Sequence, residues 1–203
     1  MKKILLSLVV VMGFGLSQVN AQMVSGGIKA EANMSNFILS DLDGVESNLG
    51  FGATLGGFMK IDFHKNFAIQ PELLFHFKTS TTKAGIVEND YQYFGAEIPV
   101  YAVGQMNLGN GRGYIGVGPY IGVGFSARYD DLDLDLYEKN DFTDEAPLQR
   151  VDFGFGAMIG YEFNFGLQIN AGYKIGIIDA LDAGKDNASM LPSTISLGLA
   201  YRF

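Results

Sequence analysis

The last eleven residues read STISLGLAYRF, Ser193 to Phe203. Ile195, Leu197, Leu199, Tyr201 and Phe203 alternate with Thr194, Ser196, Gly198, Ala200 and Arg202. Successive side chains of an extended chain point to opposite sides, so an unbroken period of two describes a strand with one apolar and one polar face. The fold turns on which of those faces looks inward.

The same alternation recurs through the chain. Eight segments carry it, at about 26–36, 49–63, 66–78, 91–106, 112–128, 149–163, 165–177 and 193–203, and no stretch shows a helical period. The connections alternate in length. HKN around Lys65, LGNGR around Asn110 and the turn at Asn164 are tight, whereas 37–48, 79–90, 129–148 and 178–192 are long. Short turns at one end and long loops at the other mark an outer-membrane barrel, and an even strand number puts both chain ends beside the short turns.

The two faces differ sharply. One carries Ile28, Leu55, Phe75, Ile98, Val117, Ile159, Ile169 and their alternate neighbours, with no charged residue. The other holds Lys29, Glu31, Lys60, Asp62, Glu72, His76, Lys78, Glu97, Arg128, Asp152, Glu162, Lys174 and Arg202. It also holds glycines such as Gly116, Gly118, Gly122, Gly154, Gly156 and Gly160. A soluble barrel turns its apolar face inward and has no use for so many glycines on the solvent side. If the charged face lines a narrow lumen, each glycine makes room for a long side chain opposite. The fold expected is therefore all-β, an eight-stranded antiparallel up-and-down transmembrane β-barrel. Its last strand pairs with the first near GGIKAEANMS (Gly26 to Ser35), because an open sheet edge is not tolerated in lipid.

Aromatic residues on the apolar face sort into two bands. Phe63, Phe67, Phe163, Phe165, Tyr201 and Phe203 lie near the short turns, and Phe51, Phe75, Phe77, Phe94, Phe125 and Phe153 near the long loops. Such bands are the interfacial girdles of a membrane barrel. Pro71, Pro99 and Pro119 fall inside strands, where proline is expected to mark a bulge or a bend.

The N-terminus reads as an export signal. Lys2 and Lys3 precede an apolar run from Ile4 to Leu16, and Val19 and Ala21 supply a small-residue cleavage site. Residues 1–21 are thus expected to be a cleaved signal peptide and 22–203 one barrel domain. There is no Cys in the 203 residues, so no disulfide or thiolate metal site is available. Without Lys2 and Lys3, 12 basic residues face 22 acidic ones. That balance excludes nucleic acid as a partner.

Three segments resemble a known family. IQPELLFHFK (Ile69 to Lys78), AEIPVYA (Ala96 to Ala102) and GVGPYIGVGFSA (Gly116 to Ala127) are similar to the PorT-like outer-membrane β-barrel family, small eight-stranded barrels often labelled porin family. The most specific pieces are Gln70-Pro71-Glu72-Leu73 and Glu97-Ile98-Pro99. The resemblance spans the mature chain and implies a small outer-membrane barrel. The family's namesake takes part in protein secretion, a role that none of these motifs carries. A terminal aromatic after alternate apolar residues also resembles the signal read by the outer-membrane assembly machinery.

Candidate chemistry is sparse. Glu72 and Glu97 point inward on neighbouring strands, and two close carboxylates can do acid–base work. Lys60, Lys174 and Arg202 point inward as well and can neutralise them, and because unpaired buried charge is costly the expected role is an interior polar network. His64 and His76 lack a Ser and a carboxylate at the spacing of a catalytic site, so no enzyme and no catalytic residue are expected. In the loop YDDLDLDLYEKNDFTDEAPL (Tyr129 to Leu148), Asp131, Asp133 and Asp135 have the spacing that opens a calcium loop. Leu136 and Phe142 then replace the required Gly and Glu, leaving an acidic outer loop. The alternating leucines there suggest strands running on beyond the bilayer. GVGPYIGVG lacks the strand-to-helix turn of a dinucleotide site, and no cofactor or metal is expected.

The expected function is that of an integral outer-membrane protein with a mostly side-chain-filled interior, acting structurally or in interactions through long extracellular loops. The alternative is a narrow channel or small-ligand-binding barrel. An outer-membrane enzyme is the third reading. The expected partners are outer-membrane lipid, the assembly machinery during biogenesis, and an unidentified protein or small molecule at the outer loops.

Overall fold

The computed structural model describes residues 23–40, 46–47, 50–84, 87–129, 134–135, 151–177 and 189–203. The predicted signal peptide, Asp131 and Asp133 lie outside them. Eight long strands make the wall: β1 (Val24–Ser40), β2 (Gly50–His64), β3 (Phe67–Ala84), β4 (Val87–Leu108), β5 (Gly111–Tyr129), β6 (Val151–Phe163), β7 (Leu167–Gly176) and β8 (Ser189–Arg202). Each pairs antiparallel with its sequence neighbours. β8 returns to β1, from Gly27 opposite Arg202 to Ser40 opposite Ser189, so the sheet closes. Even the last residue joins the ladder, the Phe203 amide donating to the Gly26 carbonyl at 3.0 Å.

Most strands outrun their apolar alternation at the long-loop end. β3 continues to Ala84 and β4 begins at Val87, paired throughout that stretch. Hydrogen bonding persists there after the lipid-facing pattern has stopped, because strand pairing needs backbone and not apolar side chains. Leu134–Asp135 pairs with Arg128 and Tyr129 in the same way, prolonging the wall into the acidic segment. At the other end the turns are minimal. Gly109 (φ +60°) and Gly166 (φ +93°) take the left-handed conformations these turns need. A side chain at Gly166 would in addition run into the Arg202 carbonyl.

The prolines do not make bulges. Phe58–Glu72 and Ile61–Ile69 keep one register across Pro71, as do Pro71–Val100 and Leu74–Glu97 across Pro99, and Pro99–Tyr120 and Ala102–Val117 across Pro119. The register shifts lie elsewhere, between Asp62 and His64 and at Phe94/Gly95. What the prolines remove is donors. The Val100 carbonyl faces β5 beside Gly118, where the residue opposite, Pro119, has no N–H to give. By the same alternation the donors lost at Pro71 and Pro99 are those facing Met59 and Glu72. A row of absent bonds thus crosses three adjacent seams without shifting any strand.

The faces are sorted as in a membrane barrel. Ile28, Leu55, Ile159 and Leu197 (66% exposed) cover the outside. Rings cluster in the two bands, with Tyr161–Phe163 at 5.0 Å and Phe163–Phe165 at 5.5 Å near the turns, and Phe94–Phe125 at 5.6 Å near the loops. So much contiguous apolar surface on a closed sheet is a lipid interface. The inside is less uniformly polar than the alternation suggests. Ala68, Tyr101, Val103, Tyr114 and Met158 form a small core inside the lumen. Inward bulk sits over glycines: Met158 covers Gly116, Tyr101 covers Gly156 and Tyr114 covers Gly160, and outside this cluster the Phe58 ring covers Gly27.

Candidate functional site

The lumen carries the buried charge, arranged in three layers along the barrel. Nearest the short turns, Lys60 approaches Glu162 at 3.7 Å and Arg202 bonds the same carboxylate. Gln168 donates to its second oxygen at 2.8 Å, and the Lys60 ammonium stands 5.5 Å from the centre of the Tyr114 ring. Beside this cluster Asp62 accepts from Gln105 at 2.6 Å and lies 3.9 Å from Arg112.

In the middle layer the Lys29 ammonium donates to both oxygens of Glu72, at 2.8 and 2.9 Å, and stands 3.4 Å from Glu31. Gln70 adds a bond to Glu72 at 2.7 Å. The Glu72 side chain is wholly inaccessible. A carboxylate survives there because three N–H donors replace its water.

The upper layer is a chain across five strands. Asn33 donates to the Thr54 hydroxyl at 2.5 Å, and that hydroxyl lies 2.6 Å from His76 Nδ1. His76 Nε2 lies 3.2 Å from Glu97, and Glu97 in turn is bonded by Lys174. The Thr54 hydroxyl thus accepts from the Asn33 amide and shares one further proton with His76 Nδ1, which either atom can supply.

The interior residues singled out in the sequence are thus all inside, with partners that differ from the simplest assignment. Lys174 does meet Glu97. Lys60 and Arg202 meet Glu162 rather than Glu72 or Glu97, and Lys29 is the partner of Glu72. Glu72 and Glu97 are held by different cations, Lys29 (shared with Glu31) and Lys174, and do not form a carboxylate pair. Strand depth accounts for this, because Glu162 and Lys60 sit within four residues of a short turn and Arg202 ends the last strand at the same level, far down the barrel from Glu97. In the acidic outer loop Asp135 lies in the Leu134–Asp135 segment, and Asp131 and Asp133 are outside the described residues.

Sequence reasoning missed the Thr54–His76–Glu97 alignment. Its members are more than twenty residues apart and meet through cross-strand register, with Thr54 opposite His76 and Glu97 on the next strand. A hydroxyl, an imidazole and a carboxylate in a row resemble a nucleophilic triad in composition alone. Thr54 is 1% exposed, so no substrate atom reaches it, and the His76 Nε2 contact to Glu97 is off the axis of a good hydrogen bond. Among the described residues no group of His, Asp and Glu is placed to hold a metal ion.

A closed eight-stranded sheet with an apolar outer band, aromatic girdles and an ion-paired interior defines an integral protein of an outer membrane. The chain belongs to the outer membrane protein beta-barrel domain family, whose model matches residues 6–203. A comparison with curated proteins gives no match. Among solved structures, Neisserial surface protein A aligns over 89% of this chain and 99% of its own, at 15% identity and a TM-score of 0.54. OprG from Pseudomonas aeruginosa aligns over 88% of this chain and 96% of its own, at 13% identity and a TM-score of 0.52. The outer membrane enzyme PagL aligns over 84% and 98%, at 10% identity and a TM-score of 0.47. Likeness at these identities concerns the fold and not the chemistry.

Proposed function

We propose that the protein is a non-enzymatic barrel whose lumen is sealed by its own side chains, and which acts structurally or through its long outer loops. The observation that supports this reading is the pairing in the lumen. Glu72, Glu97 and Glu162 are each held by a cation from another strand, and glycines below are covered by Phe58, Tyr101, Tyr114 and Met158. Eight strands enclose only enough space for such side chains.

Within the family, the PorT-like group is the finer assignment, on Gln70-Pro71-Glu72-Leu73 and Glu97-Ile98-Pro99. Gln70 and Glu72 bond each other and Glu97 anchors the upper layer, so these motifs encode the interior and not an outward site. Export uses residues 1–21 as a signal peptide removed before Gln22, and the assembly machinery and outer-membrane lipid are the partners of biogenesis. Planar-bilayer recording tests the sealed lumen. The expected result is a silent membrane with folded protein inserted, and stable discrete openings overturn the reading in favour of a channel.

A further inference from the structure

The lipid-facing wall is not evenly ridged. Where β8 closes on β1, a groove of about 320 Å³ crosses the outer surface from β7 to β2. Cross-strand register shows how it is made. Leu167, Tyr201 and Ile28 stand opposite one another in one row, and Leu199, Ala30 and Leu55 in the next. Between the rows the backbone of Ala200, Lys29 and Gly56 forms the floor, since the alternation turns those side chains inward. The trough stays open because each row contains a small residue. Ala30 lies between Leu199 and Leu55, and the first row runs on to Gly57, where a Cβ would meet only the Gly27 carbonyl, at 3.3 Å.

The groove also has a direction. Leu167 is the first residue of β7, just past a short turn, whereas Leu55 lies nine residues before His64, where β2 meets its own short turn. The stagger of the closed sheet therefore carries the trough from the aromatic girdle at Tyr201 up to mid-depth in the wall. Four strands spaced about 4.8 Å apart make it roughly 14 Å long. Half of a hydrocarbon core of about 30 Å is about 15 Å, the depth of one leaflet.

We propose that this groove is a binding site for one acyl chain of a phospholipid in the periplasmic leaflet. The site rests on the reading of outer-membrane lipid as a partner of this wall, and not on the sealed lumen. Lipid tails are as apolar as the wall, so no hydrophobic gain separates a bound chain from a free one, and what retains it is dispersion contact. A chain lying on a ridge touches protein on one side, whereas a chain in the trough touches both rows and the floor. The headgroup end lies at the level of Tyr201, whose amphipathic ring suits the interface. Lipids of the opposite leaflet would have to enter from above Leu55, where the groove ends.

The test is native mass spectrometry of the full chain, folded in detergent micelles with one of two probes that share a headgroup, dipalmitoyl- or dihexanoyl-phosphatidylglycerol. One dipalmitoyl lipid per chain is expected to survive removal of the micelle, and the dihexanoyl lipid is expected to be lost. In Ala30→Phe, whose ring fills the trough, the dipalmitoyl lipid is expected to be lost as well. In Ala157→Phe, which puts the same ring on the lipid face between Val117 and Tyr173, it is expected to stay. Equal retention of the two probes overturns the proposal, because the headgroup and not the chain is then held. Retention that survives Ala30→Phe, or that Ala157→Phe abolishes equally, overturns it too, as does a dimer that Ala30→Phe dissolves, which would make the groove an interface between copies. The probe pair uses the unaltered protein, so it decides the matter even if a variant does not fold. Folded protein that inserts into vesicles of the same dipalmitoyl lipid yet retains none strikes the site alone, whereas failure to insert strikes the lipid-facing wall with it.

Discussion

Replacing Lys29 should cost more than replacing Glu72, although the two are partners. Glu72→Gln removes one charge from a wholly buried pair and leaves Lys29 behind. Breaking a buried pair by deleting one member costs about 3–5 kcal/mol, because the survivor is left desolvated and uncompensated. Here the survivor keeps Glu31 at 3.4 Å, and the amide introduced by the substitution can still accept from Gln70, which places the cost near the low end, about 3 kcal/mol. Lys29→Met instead strands two carboxylates, Glu72 and Glu31, within one low-dielectric layer, and reaches or passes about 5 kcal/mol. With a urea slope of about 1–3 kcal/mol/M, the first change lowers the unfolding midpoint by roughly 1–3 M and the second by clearly more. The chain has no Trp, so unfolding in lipid vesicles is best followed by far-UV circular dichroism or by gel mobility. If Lys29→Met proves no worse than Glu72→Gln, the shared-lysine layer is wrong. If both fall within about 1 kcal/mol of the parent, the whole account of interior pairing is wrong.

Other outcomes follow from the wall. Leu197→Arg puts a charge on the lipid face near mid-depth and should destabilise the barrel in vesicles by about 2–4 kcal/mol; a neutral result would place that face away from lipid. Gly118→Ala should cost about 1–3 kcal/mol, because its Cβ runs into the Val100 carbonyl, while Gly116→Ala should cost less, because flexible Met158 can move aside at 2.7 Å; paired urea curves that reverse the order would refute the packing. Pro119→Val restores a donor opposite the Val100 carbonyl and should add about 0.5–1.5 kcal/mol, so a loss of stability would show that the seam lacks no bond there. Phe203→Ala keeps the amide that bonds Gly26 and should leave refolding in vitro within about 1 kcal/mol, while lowering the amount found in the outer membrane several-fold; equal losses in both assays would deny the terminal aromatic a part in recognition by the assembly machinery.

How much of this the sequence discloses depends on the range of the interaction. Alternation is local, so Ile195 to Phe203 alone announces a two-faced strand, and repetition of the pattern yields strand number and turn ends. Closure of β8 on β1 is non-local but forced, since lipid tolerates no open edge. Partner choice inside the lumen is neither local nor forced. Lys60 lies about as plausibly beside Glu72 as beside Glu162 on a strand map, and the stagger of the closed sheet decides for Glu162. The same stagger assembles Thr54, His76 and Glu97, which no linear spacing reveals. Phe58 and Leu74 are hidden for another reason: an apolar residue on a polar face carries no period, and its burial becomes legible only when the opposing glycine, such as Gly27 beneath Phe58, is known. The prolines show the reverse error. A rule drawn from soluble sheets predicts bulges, but a closed barrel with long flanking ladders holds its register and simply goes without three hydrogen bonds.

The distribution of charge explains where function can reside. In the lower and middle lumen each carboxylate is matched, and Lys29, Glu72, Thr54 and Gln168 are too enclosed to meet a solute. On the non-enzymatic reading proposed above, these groups, including the Thr54–His76–Glu97 row, stabilise and specify the fold. The outer surface is equally committed, since its apolar band must remain uncharged to stay in lipid. What is left lies at the ends of the barrel. At the short-turn end the chain is tightly bonded, with Gly166, Arg202 and Phe203 all tied into backbone hydrogen bonds. At the other end Lys78 donates to the Thr194 hydroxyl and Asp152 accepts from the Tyr120 hydroxyl. On the sealed-lumen reading proposed above, contact with anything outside the membrane falls to that end of the barrel and the loops above it.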